Sequence, residues 1–111
     1  MMRNLKAMTV ALVIAAVNII SPLAAEETVV VGIDKNTFMP SKVTIKVGGV
    51  VTWVNNEKRT SHSVLFGNED ALESERLMPG DTWQRRFDTP GVYAYSCGPH
   101  PEMKGSVEVQ P

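Results

Sequence analysis

The stretch Lys42-Val-Thr-Ile-Lys-Val47-Gly48-Gly49-Val50-Val-Thr-Trp-Val-Asn55 decides the fold. Its first half alternates, so an extended backbone places Val43, Ile45 and Val47 on one face and the lysines on the other. Gly48-Gly49 supplies a tight turn, because glycine enters the positive-φ region without a steric penalty. The second half, Val50 to Asn55, is β-branched and aromatic, a composition that fits a pleated, half-buried surface.

The same punctuation extends in both directions. Upstream, Thr28-Val-Val-Val-Gly-Ile33 is a short apolar run. Downstream, His62-Ser-Val-Leu-Phe66 forms a short strand, Pro79-Gly80 turns the chain into Thr82-Trp-Gln-Arg-Arg-Phe87, and Pro90-Gly91 turns it into Val92 to Cys97. Gly105-Ser-Val-Glu-Val109 closes the series, with Val107 and Val109 facing inward. Short strands at this spacing predict an all-β antiparallel sandwich of about seven or eight strands. Arg85 interrupts the Trp83/Phe87 face, which predicts an edge position with the stem along the core and the head in water. The acidic stretch Gly67 to Leu77 is the exception, read first as a solvated face, with one or two helical turns crossing between sheets and an acidic docking patch for a basic partner as the alternatives.

Residues 1–25 read as a secretory signal. Arg3 and Lys6 form a basic start, Ala7 to Ile20 is apolar, and Pro22-Leu23-Ala24-Ala25 offers an exit. Leu23 sits where a small residue is preferred, and an uncleaved anchor is the competing reading, weakened by Asn18 and Pro22. The expectation is removal and export to the periplasm, leaving one domain over 26–111. Removing 25 residues from 111 leaves 86, with 9 basic and 12 acidic side chains. This mild acidity argues against nucleic acid as a partner. With one cysteine in the chain no internal disulfide can form, so rigidity must come from a sheet core, to which a bound metal would add.

The chemistry concentrates in Tyr93-Ala-Tyr-Ser-Cys97-Gly-Pro-His100-Pro-Glu-Met103, a C-x-x-H-x-x-M array. The only other histidine, His62, lies 35 positions before Cys97. Two imidazoles, a thiolate and a weak thioether form the donor set of a blue-copper centre. Met39 and Met78 are also available as thioethers, but Met103 alone shares the Cys97–His100 loop. One cysteine permits a single mononuclear site. A cysteine–histidine hydrolytic dyad is the rival reading, disfavoured because Pro99 and Pro101 stiffen the backbone around His100 and no neighbouring stretch suggests an oxyanion hole. The plain alternative is a small buried cysteine beside structural histidines.

With these residues in place the chain resembles a cupredoxin, and within that family its amicyanin branch. The resemblance rests on Val47-Gly48, Val51-Thr52-Trp53-Val54-Asn55, His62, Pro79-Gly80, Gly91-Val92-Tyr93-Ala94-Tyr95 and Cys97-Gly-Pro-His-Pro-Glu-Met-Lys-Gly105, with its short two-residue spacers. It implies a Greek-key β-sandwich carrying one copper per chain, cycling between Cu(I) and Cu(II). His62, Cys97 and His100 are the implied strong ligands and Met103 the weak axial one. The implied function is one-electron transfer, not catalysis, between periplasmic redox proteins such as a dehydrogenase or a c-type cytochrome, by a monomer forming transient complexes. Periplasmic copper buffering or delivery is the alternative, since it would use the same ligands. The resemblance further implies a hydrogen bond from the Ser63 N–H to the Cys97 sulfur. Ser63 stands where the family commonly has an asparagine tying the two ligand loops together, so a weaker tie is expected. Lys58-Arg59-Thr60-Ser61 replaces apolar docking residues, which puts an amine dehydrogenase partner in doubt.

Overall fold

The computed structural model describes residues 27–111; the signal and its cleavage point lie outside them. Nine strands occur among the described residues: β1 (Thr28–Asp34), β2 (Thr37–Met39), β3 (Lys42–Lys46), β4 (Val50–Asn55), β5 (Leu65–Phe66), β6 (Leu72–Glu73), β7 (Thr82–Arg86), β8 (Gly91–Ser96) and β9 (Lys104–Gln110). They form two sheets in the orders β2-β1-β4-β7 and β3-β9-β8-β5-β6. The all-β sandwich predicted from the alternation is therefore observed, with two further short strands, the three-residue β2 and the two-residue β6.

One expectation needs correction. The sheets are mixed, not purely antiparallel: β1 pairs with β4, and β3 with β9, in parallel. Parallel neighbours need a crossover, and the chain provides it by passing from one sheet to the other between β2 and β3 and back before β4. The acidic stretch 67–77 is largely exposed, as a solvated face requires, and the alternative of helical turns is not realised. Asp70 and Ala71 adopt left-handed backbone (φ 53° and 55°), which breaks any helical run, and Leu72–Glu73 pairs with Leu65–Phe66 instead. Ser74 extends that pairing, its N–H donating to the Val64 carbonyl at 2.9 Å.

Alternation becomes burial as expected. Along β4, Val51, Trp53 and Asn55 are fully buried while their neighbours are half-exposed. Trp53 is the centre of the core, meeting Tyr95 edge-on at 5.3 Å, Phe66 at 6.1 Å and its cross-strand partner Trp83 at 5.4 Å. Such aromatic contacts add roughly 0.5–1.5 kcal/mol each beyond area burial. Val43 and Ile45 are buried on β3, but Val47, past the end of that strand, is exposed.

The glycines of the turns behave as the sequence requires at two places. Gly48 has φ 87° at the turn between β3 and β4. Gly80, also at φ 87°, follows Pro79 in a turn closed by the Asp81 N–H donating to the Met78 carbonyl at 2.9 Å, the pattern of a type II turn.

Arg85 does lie on an edge strand, but its head is not free in water. The guanidinium stacks over Phe66 (4.4 Å), Phe87 (4.5 Å) and Tyr93 (5.3 Å) and makes two 2.7 Å hydrogen bonds to the Glu69 carboxylate. It thus closes the sandwich between the β7 edge and the loop before β6.

Candidate metal centre

Three segments meet at one end of the sandwich. Cys97 follows directly on the end of β8. His62 sits in a bridge to Leu77, its N–H donating to the Leu77 carbonyl at 3.0 Å and its carbonyl accepting from the Leu77 N–H at 2.7 Å. His100 and Met103 lie on the turn between β8 and β9. That turn is closed by two backbone bonds, from the Met103 N–H to the His100 carbonyl (2.9 Å) and from the Cys97 N–H to the Met103 carbonyl (3.0 Å).

The donor atoms converge. Cys97 Sγ lies 3.5 Å from Nδ1 of His62 and 3.6 Å from Nδ1 of His100, and the three atoms fall within 4.8 Å of one another. A trigonal cation held about 2.0–2.3 Å from N and S donors separates those donors by roughly 3.5–4 Å, so the cluster fits one metal ion. Both imidazoles present the same nitrogen, and the softest donor lies between them. Met103 is buried (3%) at the base of the loop. His62 and Cys97 are fully buried, whereas His100 is half-exposed. The rings of the two histidines stand 5.0 Å apart, inclined at 53°.

Surrounding groups hold this arrangement. The Ser63 N–H points at Cys97 Sγ at 3.4 Å, as the resemblance implied. The tie expected to be weak is present: Ser63 Oγ accepts from the Gly98 N–H at 2.9 Å and donates to Glu73 Oε2 at 2.8 Å. The fully buried Asn55 organises the loop before His62. Its side-chain NH₂ donates to the carbonyls of Thr60 and Leu77, both at 2.9 Å, and its Oδ1 accepts from the Glu57 N–H at 3.0 Å.

Glu57 stands behind His62, with Oε1 3.4 Å from Nε2 and 2.8 Å from the Asn36 N–H. The Asn36 N–H is the main reason the Glu57 carboxyl is held below its usual range, aided by the histidines. Burial pushes the His62 imidazole down, with the bond to Glu57 opposing it and the charges of His100 and Arg76 reinforcing it. A carboxylate behind Nε2 favours the proton there and leaves the Nδ1 lone pair for a metal. Glu57 and Glu73 were missed from sequence. Glu57 was visible as an acid five positions before His62, but nothing local marks Glu73.

The comparisons define the class. Residues 25–110 match the copper binding proteins of the plastocyanin/azurin family, and the chain belongs to that family. Among its relatives, the plastocyanin of Scenedesmus fuscus is 41% identical over 97 residues, covering 75% of this chain and 98% of that one. Amicyanin-alpha of Methylorubrum extorquens is 39% identical over 106 residues, covering 92% and 87%, and amicyanin of Paracoccus versutus 39% over 97 residues, covering 80% and 73%. A reduced Cu(I) form of an amicyanin variant at pH 4 superposes with a TM-score of 0.71 at 34% identity, covering 78% of this chain and 85% of that one. The cupredoxin fold and the amicyanin likeness read from the loop are thus established, and copper is the cofactor of the family.

Proposed function

We propose that this protein is a periplasmic one-electron carrier whose mononuclear copper is held by His62, Cys97, His100 and Met103. The observation that carries the reading is the buried Cys97 sulfur with an imidazole Nδ1 at 3.5 Å on one side and at 3.6 Å on the other. Copper bound there supplies a Cu(II)/Cu(I) couple.

The chain's own residues prepare the site. The Ser63 N–H draws electron density from the thiolate, and hydrogen bonds to a ligating sulfur tune a metal's potential. Pro99 has no N–H and adds no second such bond. Glu57 and the Leu77 bridge fix His62, while the turn closed by Met103 fixes His100. Because His62 is fully buried and His100 is half-exposed, the outer edge of His100 is the route by which an electron leaves. Exposed Pro99 and Pro101 frame it, and the exposed Lys58 and Arg59 lie on the loop leading into His62. A redox protein docking there meets a partly basic rim, unlike an apolar one.

The test is optical. Cu(II) added to the metal-free protein should give an intense thiolate-to-copper visible band, and Cys97→Ser should abolish it. A metallated protein without that band would refute the reading. Rapid electron self-exchange together with slow copper loss to chelators separates a carrier from a copper donor or buffer. No turnover of small substrates is expected, and fractionation of cells should recover the processed chain in the periplasm.

A further inference from the structure

The two ligand-bearing segments are joined side by side at Ser63 and Gly98, the residues immediately after His62 and Cys97. Besides the Cys97 sulfur, which faces the Ser63 N–H and His62, the Ser63 hydroxyl joins them by accepting the Gly98 N–H at 2.9 Å. A hydroxyl rotates freely about its C–O bond and carries a single proton. On its own it could turn that proton toward Gly98 and lose the bond. Here the proton is committed elsewhere, to Glu73 Oε2 at 2.8 Å. The carboxylate therefore dictates that a lone pair faces Gly98.

A second observation places Glu73 at the same point. A Cβ built on Gly98 would run into the Glu73 carboxylate and the Ser63 Oγ before anything else, so both groups cover the backbone of the Cys97 loop. Glu73 is brought there by β6, whose register sets Leu65 opposite Glu73, and Leu65 is in turn opposite Ser96 on β8. The short β5–β6 ribbon thus carries a carboxylate across to the residue after the cysteine.

Resting on the copper reading above, we propose that Glu73 is a positioning residue for the metal centre: by holding the Ser63 hydroxyl in its accepting orientation toward Gly98, it keeps the Ser63 N–H aimed at the Cys97 sulfur. It completes a Glu73–Ser63–Gly98 clasp, in which a serine and an acid together do what one longer amide side chain could do alone. A charge-assisted bond at the outer end makes the clasp stiffer than a serine by itself.

The test compares Glu73→Ala, Glu73→Gln, Ser63→Ala and the Glu73→Ala/Ser63→Ala double variant in the full chain. The first readout is metal-free: amide exchange at Gly98, followed by NMR. Glu73→Ala should speed it by about tenfold, the size expected when one hydrogen bond of a locally opening loop is lost. Glu73→Gln retains an acceptor oxygen and should restore most of the protection. The second readout, after Cu(II) loading, is the rate of copper loss to a chelator and the position of the visible band. Glu73→Ala should hasten loss several-fold and move the band, Glu73→Gln should do so less, and Glu73→Ala should add nothing once Ser63 is alanine, because coupled residues are non-additive. The proposal is overturned if Glu73→Ala leaves Gly98 exchange unchanged, if its effect persists undiminished in the Ser63→Ala background, or if exchange speeds up while copper loss and the band stay as in the parent. If the parent itself shows no band, the copper reading fails, whereas the exchange experiment still judges the clasp.

Discussion

Arg85→Ala should be the most destabilising exchange of a charged residue in the protein, although the side chain lies on an edge strand. Three contributions are lost together. The guanidinium stacks on three rings at 4.4, 4.5 and 5.3 Å, and a cation over an aromatic face is worth about 0.5–1 kcal/mol when exposed and ~2 when desolvated. Its two bonds to Glu69 join side chains that are 18% and 33% exposed, so screening limits that pair to roughly 1 kcal/mol or less. The stem covers the Phe66 and Phe87 rings, which its removal leaves open to water. Allowing for overlap between these terms, the expected loss is about 2–3 kcal/mol. In a domain of this size each kcal/mol moves the midpoint by roughly 4–8 °C, so Tm should fall by ~10–20 °C. The assay is thermal and urea unfolding in metal-free buffer, because a bound metal would mask the loss by mass action. Arg85→Met keeps the apolar stem and should recover about half. The Glu69 carboxyl is held below its usual range chiefly by the bond from Arg85. Its contribution is therefore present above the ordinary carboxylate range and is lost as pH falls through and below about 4–4.5, and Glu69→Gln should flatten that part of the acid limb. An Arg85→Ala protein within ~0.5 kcal/mol of the parent, the range of an ordinary surface change, would refute this account of how the sandwich is closed.

Two further outcomes follow from the interior and the turns. Gly105 and Gly80 should both resist alanine, for different reasons. At Gly105 a Cβ would strike the ring of Tyr95, its cross-strand partner, and such overpacking costs about 1–3 kcal/mol. At Gly80 there is open space but φ is 87°, so the cost is backbone alone, roughly 1 kcal/mol; a Gly105→Ala protein as stable as the parent by urea unfolding, or a Gly80→Ala loss well beyond that backbone cost, would contradict the distinction. Burial pushes the Tyr95 phenol up to about 12, partly offset by the Trp53 indole. Its raised value means the unfolded chain gives up that proton first, so stability should be full below pH ~10 and decline toward pH 12. Tyr95→Phe should remove this alkaline decline. It should cost little at pH 7, since the hydroxyl is buried without a hydrogen-bond partner of good geometry.

The sequence made the strands legible where one face is wet and the other dry. β3, β4 and β9 alternate, and their buried residues are the ones alternation selects. At 67–77 the solvated face was legible but the ribbon was not. There the outcome is set by long-range pairing with 62–66 and by two left-handed residues, neither of which leaves a local mark. Parallel pairing was invisible for the same reason, since register between β1 and β4 is a property of the assembled sheet. At the site, the meeting of Cys97 and His100 was legible because one loop carries both, and His62 because no other histidine remains in the sequence. The supporting residues Asn55, Glu57 and Glu73 were not, because each acts on a backbone or ring atom whose position only the fold supplies.

The supporting bonds also explain why so short a loop can suffice. From Cys97 to Met103 the chain returns on itself within seven residues, and the Met103 carbonyl accepts the Cys97 N–H at 3.0 Å. A longer loop would leave more backbone to order, at about 1–2 kcal/mol per residue fixed. Here the turn is closed by its own backbone, framed by Pro99 and Pro101, and anchored to both neighbouring strands, β8 and β9. These same contacts help bring the sulfur and the two imidazoles together. A site assembled this way has little conformational freedom left to change with oxidation state, which is the condition a fast electron carrier needs. Its cost is dependence on contacts outside the loop. His62 arrives from another part of the chain, and the Leu77 bridge, the Glu57 carboxylate, the Asn55 side chain and the Ser63 contacts with Cys97 and Gly98 keep it in register with the sulfur. These contacts add to the stiffness that Pro99 and Pro101 give the loop itself.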